Sequence, residues 1–525
     1  MKWPRKPRVE HRISAEISEV IANNNFQRAS SFWASGALML LAILLGVLAG
    51  TDAVWSLFPL LLLIVMPILL IVTRRFQDSR GRLLLWAWSL MLVATGAQQA
   101  IHIPLGYLIE LTLFPLILAV LAFFWREAAR DRWLALMLAF WLVYFVLSVL
   151  STLLGRSHAL PAIWQLQYNL KWPLMFGLGC LIVWGAPTES HLRRILAFSW
   201  ILLGGCVALE IAWGGGHTLI FGPPPDLHGN PLIGVGLRYR GPFQHSGYLA
   251  ITAGLLACGA AAQFMNGRGM RWLVVSAIYA ALVMLSGQRQ EALAMVLTFV
   301  LFALLAGRRY WSIIVVAGFV AVSVGVLAIL QLDEVPMRAV FAQWGLVDST
   351  ASLSERAILT LRGVEVARAY FPLGSGLGTY GGAGAQKFDQ SQFIELGFMS
   401  YWWFRQGMFL VDTFWPNVIA ESGFVAAIFM LLAFVALWAG LLRRCLIVSR
   451  GSANYALSLT AFAAATLLLA NSPSSAVLTD PRGAFLLWLL IGMGWRVCDP
   501  ASVCDQLASY RKQDSCAFRT SEKKP

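Results

Sequence analysis

Charge is scarce in this sequence. Only 13% of its 525 residues are Asp, Glu, Lys or Arg, whereas 58% are hydrophobic. A soluble chain of this length carries about twice that charge, so with a mean hydropathy of +0.69 a soluble globular fold is excluded. Strict period-two alternation is also missing, which excludes an outer-membrane barrel. No HExxH-type spacing and no acid cluster accompany the histidines, so no metal site is expected. The cysteines Cys180, Cys206, Cys258, Cys445, Cys498, Cys504 and Cys516 have no zinc-like spacing and none falls in an expected external loop. A disulfide framework is therefore not implied. An internal repeat of the kind that marks many transporters is absent as well.

What is present is a series of apolar runs of membrane-span type. Fourteen can be read, at 32–50, 55–73, 83–96, 104–125, 133–154, 171–185, 196–215, 246–265, 271–286, 291–306, 311–330, 413–440, 454–470 and 483–495. The runs 171–185 and 483–495 are short enough to be half-spans, which leaves twelve to fourteen crossings. The expected fold class is an all-α, polytopic integral membrane protein. The net charge of +14 falls in short basic clusters between alternate runs, including Arg74–Arg82, Arg126–Arg132, Arg193–Arg194, Arg268–Arg271, Arg308–Arg309 and Arg443–Arg450. This is the positive-inside pattern, and it predicts both termini in the cytoplasm rather than a nucleic-acid partner. The N-terminal segment, residues 1–31, is too polar for a signal peptide, so the first apolar run is read as retained.

The expected organisation is a cytoplasmic segment (1–31), eleven spans (32–330), a large external loop (331–412), three further spans (413–495) and a cytoplasmic tail (496–525). A second external loop at about 216–245 is rich in Gly and Pro, which favours turns. Within the large loop, SLSERAILTLRGVEVARAYFP predicts an amphipathic helix, with Ser352 and Glu355 as a capping box and Pro372 closing it. GSGLGTYGGAG follows as a flexible turn, and FIELGFMSYWWFRQGMF is expected at the membrane surface, where Trp and Tyr anchor interfaces.

Basic residues are expected to be few outside, which singles out Arg240 in RYRGPFQHSGYLA and Arg289 in LSGQRQEALAM. Arginine's planar fork matches phosphate oxygens, so these two could hold a pyrophosphate. Each could equally pair with a lipid headgroup or with a nearby acid such as Glu291. His245 could help bind phosphate or sugar, or be an ordinary loop histidine. In LVDTFWPNVIAESG, Asp412 lies just before a span and Glu421 lies inside it. A carboxylate within a span costs roughly 2.5 to 3.5 kcal/mol on insertion scales, so a role for each is sought. Gly423 is read as a packing or kink position.

These stretches together resemble the O-antigen ligase and polysaccharide polymerase superfamily of bacterial inner membranes. RGPFQHSGYLA resembles its Arg-led element before a span, and SGQRQEALAM loosely resembles its Ser-Arg-Gly turn. PLGSGLGTYGG, from Pro372 to Gly382, resembles its glycine-rich stretch, and DTFWPNVIAESG its closing element. The resemblance implies a GT-C-like, metal-independent, inverting glycosyltransferase with no cofactor, working at the periplasmic face of the inner membrane. Its donor would be an oligosaccharide on undecaprenyl pyrophosphate, with membrane lipid and a flippase and chain-length regulator of the same pathway as further partners. Arg240, Arg289, His245, Gln288, Tyr380 and Glu421 would bind substrate, and Asp412 would act as base or acceptor-orienting group. An aspartate where the ligases carry histidine favours a repeat-unit polymerase over a ligase that transfers glycan to lipid A–core. A transporter or flippase, or a structural partner in a secretion complex, would fit the same hydropathy.

Overall fold

In the computed structural model, residues 88, 117–181, 186–222, 238–306, 355–473 and 475–497 are described. The runs expected at 32–50, 55–73 and 311–330, almost all of 83–96, the first half of 104–125, Ser352 and the tail from 498 lie outside these residues. All described residues belong to one compact unit, and every regular element among them is helical.

The helices, in chain order, begin with α1 (Ile117–Ala128), α2 (Arg132–Leu154), α3 (Ala159–Leu181), α4 (Ala186–Ala212) and the short α5 (Gly214–Phe221). Next come α6 (Ser246–Met265), α7 (Arg271–Leu285) and α8 (Arg289–Ala306). The large loop contributes α9 (Glu355–Ala369), α10 (Ala383–Phe388), α11 (Ser391–Glu395) and α12 (Trp402–Arg405). The chain then runs through α13 (Trp415–Ile447), α14 (Ala453–Asn471) and α15 (Pro481–Val497). Five of these, in α2, α4, α6, α13 and α14, are long and apolar enough to cross a membrane by length and composition.

The sequence pattern of α2 explains its place. Its buried residues Leu134, Met137, Tyr144, Ser148 and Ser151 fall at helical spacing on one stripe, which lies against α13. Leu142, Val146, Leu150 and Leu153 on other faces are exposed. Hydroxyls inward and leucines outward is the pattern expected where the surrounding medium is apolar. α6 has the opposite need. Its run of Ala and Gly lets neighbours approach closely, and it is buried almost along its whole length.

Two ends of the bundle are distinguished by their chemistry. At one end, Asp131 caps α2 by accepting from the Trp133 amide at 3.0 Å, and its other oxygen accepts from Arg444 and from Trp495 Nε1. Arg444 stacks on the Trp495 ring at 3.8 Å. Arg496 pairs with Glu127 at 2.9 Å and Arg268 with Glu189 at 3.0 Å at the same end. This end gathers the described basic clusters of the sequence.

Several boundaries differ from expectation. α3 begins at Ala159, twelve residues before the run expected from 171, and so is a full-length helix of 23 residues. The missed turns carry Gln165, Gln167 and Asn169, whose polarity hid the helix from a hydropathy reading. α4 likewise starts ten residues early, through Arg193 and Arg194. The aromatic stretch 393–410 packs into the loop: Phe393, Phe398, Trp403, Phe404 and Leu410 form a core with Ile358, Leu359 and Val366 of α9. The buried Ile358, Leu359 and Val366 of α9 supply the apolar partner that burial needs. Trp402, Ile394 and Met399 remain exposed.

Arg444 is nearly buried, so removing its acidic partner leaves an uncompensated charge, at a cost of about 3–5 kcal/mol. Asp131→Ala is therefore expected to lower the melting temperature of the detergent-solubilised protein clearly, and an unchanged value would contradict the pairing.

Candidate functional site

The site is positioned by a break in α13. Gly423 has φ 85° and ψ 169° inside the helix, a left-handed conformation that glycine alone adopts freely. The break frees backbone carbonyls, and an apolar interior requires that they find donors. Ala420 O accepts from the Ser375 amide at 2.9 Å, and Glu421 O accepts from the Gly376 amide at 3.0 Å and from Ser151 Oγ at 2.6 Å. The amide donors come from the glycine-rich stretch 374–384, which is thus a tightly held insert rather than the flexible turn expected. Gly374 sits against the break so closely that a Cβ there would lie 2.3 Å from the Glu421 carbonyl carbon.

The Glu421 side chain completes this joint. It is wholly buried, and Oε1 accepts from the Tyr380 amide at 3.1 Å, with the Gly378 and Thr379 amides and Asn417 close by. Asn417 donates to Tyr380 O at 2.7 Å. The network continues through Gln165 and Asn169 to the Tyr144 hydroxyl, and through Ser422 to Ser148. Tyr380, expected to bind substrate, is itself wholly buried: its hydroxyl donates to Leu359 O at 2.7 Å and its ring stacks on Phe393 at 4.9 Å. Glu421 and Tyr380 therefore tie the glycine insert, α9 and α13 together.

That joint sets α9 and the start of α13 beside the first turns of α6 and α8. Arg356 of α9 donates to Asp412 Oδ2 at 3.1 Å. Arg356 also lies within electrostatic reach of Glu291 in the first turn of α8, as do His245 and Arg238. Arg238 packs its stem against Gly287 and is close enough to Arg289 for the two guanidinium groups to repel. Two like charges held this close make a site suited to an anion. Gln288 donates to Ser246 Oγ at 2.7 Å, fastening the α8 entry to the start of α6. His245 is the N-cap of α6, its Nδ1 accepting from the Gly247 amide at 2.9 Å.

Of the residues expected from sequence, the structure brings together Arg289, Gln288, His245 and Asp412, and keeps Arg240, Glu421 and Tyr380 apart from them. Arg240 is only 2% exposed and turns inward to α5, donating to Phe221 O at 3.4 Å and to Gly222 O. Its backbone amide and that of Gly241 donate to Glu210 at 3.0 and 2.9 Å, and His217 bonds Gly241 O. Arg240 thus fastens the loop in which Arg238 stands. Arg238, Arg356 and Glu291 were not sequence candidates for substrate binding. RYR offers two arginines two residues apart, and only the fold decides which one turns inward. Arg356 lies on an ordinary charged helix face and gave no signal at all.

A second charged group adjoins the first. Tyr248 donates to Asp480 at 2.5 Å, and Arg482 pairs with Asp480 at 3.1 Å and reaches Gln244 at 3.5 Å. Burial alone would raise the Asp480 carboxyl, but Arg482 and the Tyr248 hydroxyl outweigh it and hold it below the usual carboxylate range. This group satisfies itself and closes one side of the site. Among the described residues no three His, Cys, Asp or Glu side chains converge as a metal site would require.

Compared with known proteins, the chain matches no family model, and no curated protein matches it significantly.

The joint at Glu421 has a graded test. Glu421→Gln keeps an acceptor for the Tyr380 amide, whereas Glu421→Ala orphans it at about 1–3 kcal/mol per lost partner. Alanine is expected to lower the melting temperature well beyond glutamine, and equal effects would contradict the hydrogen-bonded role. Gly374→Ala should also destabilise, by about 1–3 kcal/mol of overpacking, in the same assay.

Proposed function

We propose that the chain is a glycosyltransferase that polymerises oligosaccharide repeats carried on undecaprenyl pyrophosphate, for an exopolysaccharide, capsule or O-antigen. The observation that carries the reading is the cluster of Arg238, Arg289 and Arg356 beside Asp412 and Glu291, at one end of an apolar helical bundle. The opposite end holds Arg268, Arg444 and Arg496 with their acidic partners. By the positive-inside rule that end is cytoplasmic, so the cluster faces the periplasm of a bacterial inner membrane. The motif resemblance, the folded 355–412 part of the large loop and the closely set arginines support a GT-C-like architecture with about fourteen spans, the 331–412 loop being periplasmic.

The chemistry follows from the residues. An acceptor sugar hydroxyl attacks the anomeric carbon from the face opposite the lipid pyrophosphate, with inversion. Negative charge grows on the departing pyrophosphate, and arginines already held in place stabilise it where water is scarce. His245 offers a further donor: its Nδ1 accepts a hydrogen bond, so the neutral ring carries its proton on Nε2. The attacking hydroxyl needs a proton acceptor, and the cluster offers two carboxylates. Asp412, the candidate from sequence, orients Arg356 through its ion pair.

The test is incubation of the purified protein with an undecaprenyl pyrophosphate-linked repeat, with and without metal or nucleotide sugar. Chain extension in their absence is expected, whereas transfer only to lipid A–core would make the protein a ligase. Arg289→Ala and Arg238→Ala are each expected to slow extension by about 100- to 1000-fold. Arg240→Ala should act through a lowered melting temperature. Full extension by the stable Arg238→Ala and Arg289→Ala proteins would contradict the arginine cluster as donor site.

A further inference from the structure

We propose that Glu291 is the catalytic residue that takes the proton from the attacking acceptor hydroxyl, with Asp412 acting to position Arg356; this rests on the transferase reading above. Glu291 is the third residue of α8, two after Arg289. Its own backbone amide lies near the carboxylate, the stabilising arrangement expected of an acid in a first helical turn. Of its two oxygens, Oε2 is buried and has no hydrogen-bond partner among the described residues, and the residue is only 9% exposed. An ionisable side chain this buried, left with an open lone pair, needs a reason.

The neighbours supply it. Arg238, His245 and Arg356 all lie within electrostatic reach of Glu291, and Arg289 lies on the same turn. Glu291 Oε1 also comes against Gly247, at 3.9 Å from where a Cβ would stand, so α6 closes over it beside His245. Gln290 adds a second buried polar end, its Nε2 likewise without a partner among the described residues. The first turn of α8 thus presents a cation, an unengaged amide nitrogen and an unengaged carboxylate oxygen in sequence.

The competing groups are less suited to accept a proton. His245 uses Nδ1 as an acceptor, which leaves Nε2 as a donor. Asp412 is partly exposed and has Oδ2 engaged by Arg356. Glu291 is drier and keeps an oxygen open. In the step, the acceptor O–H bond breaks as its oxygen bonds the anomeric carbon, and the proton passes to Glu291 Oε2. The anomeric carbon–oxygen bond to the pyrophosphate breaks, its electron pair staying on the pyrophosphate beside Arg238, Arg289 and Arg356. Glu291 then returns the proton to solvent.

The experiment measures extension of an undecaprenyl pyrophosphate-linked repeat by full-length wild type, Glu291→Gln and Asp412→Asn, with melting temperature and undecaprenyl pyrophosphate binding recorded for each. Glu291→Gln is expected to lose at least about 100-fold in kcat, with donor KM and undecaprenyl pyrophosphate binding within about threefold of wild type. Asp412→Asn is expected to raise donor KM, because Arg356 loses its partner. If Glu291→Gln turns over within threefold of wild type while Asp412→Asn loses kcat, the assignment is overturned. Should Glu291→Gln melt lower than wild type, Glu291→Ala assayed with added formate decides instead. Partial restoration of turnover supports the assignment and its absence overturns it. A stable wild type that extends nothing overturns the transferase reading itself, and with it the role of Glu291.

Discussion

A helix buried in an apolar bundle cannot break without handing its freed carbonyls to other donors. The break in α13 at Gly423 meets that demand with the Ser375 and Gly376 amides and the Ser151 hydroxyl. The same exchange holds the large loop in place. Glu421 is buried here as the acceptor that gathers the amides of the glycine insert, and the insert in turn holds Tyr380 under α9. The position of Arg356 on α9, and of Asp412 just ahead of α13, follows from this joint.

The two carboxylates of LVDTFWPNVIAESG are thereby given different work. Glu421 takes the Tyr380 amide on Oε1 beside a hydrogen-bonded chain of Asn417, Gln165, Asn169 and Tyr144, which suits rigidity. Asp412 is at the edge, paired with an arginine that also feels Glu291. Rigidity below and a convergent set of charges above is the division expected of a site that must not reorganise while charge moves. The self-contained group of Tyr248, Asp480 and Arg482 adds a further fixed wall beside Gln244.

The spans most legible in the sequence were those with clean ends. α6 begins and ends where its apolar run does, because His245 caps it and Gly267 and Gly269 follow it. α2 differs by one residue, with Asp131 as its cap. α3 was half hidden because its first turns carry the amides that the bundle needs inside, and polarity at those positions reads as loop. The kink was readable as a lone glycine after Glu421. The choice between Arg238 and Arg240 was not, since both lie in one short loop and only the α5 carbonyls decide which turns inward. Arg356 and the aromatic core depend on contacts between stretches some forty to sixty residues apart, which no local pattern records.

The most direct measurement is an experimental structure of the protein with undecaprenyl pyrophosphate bound in lipid nanodiscs. The diphosphate should lie between Arg238, Arg289 and Arg356, within hydrogen-bonding distance of at least two of them, with Arg240 still turned to the Phe221 and Gly222 carbonyls. Diphosphate density away from these three arginines, or held by Arg240, would contradict the site.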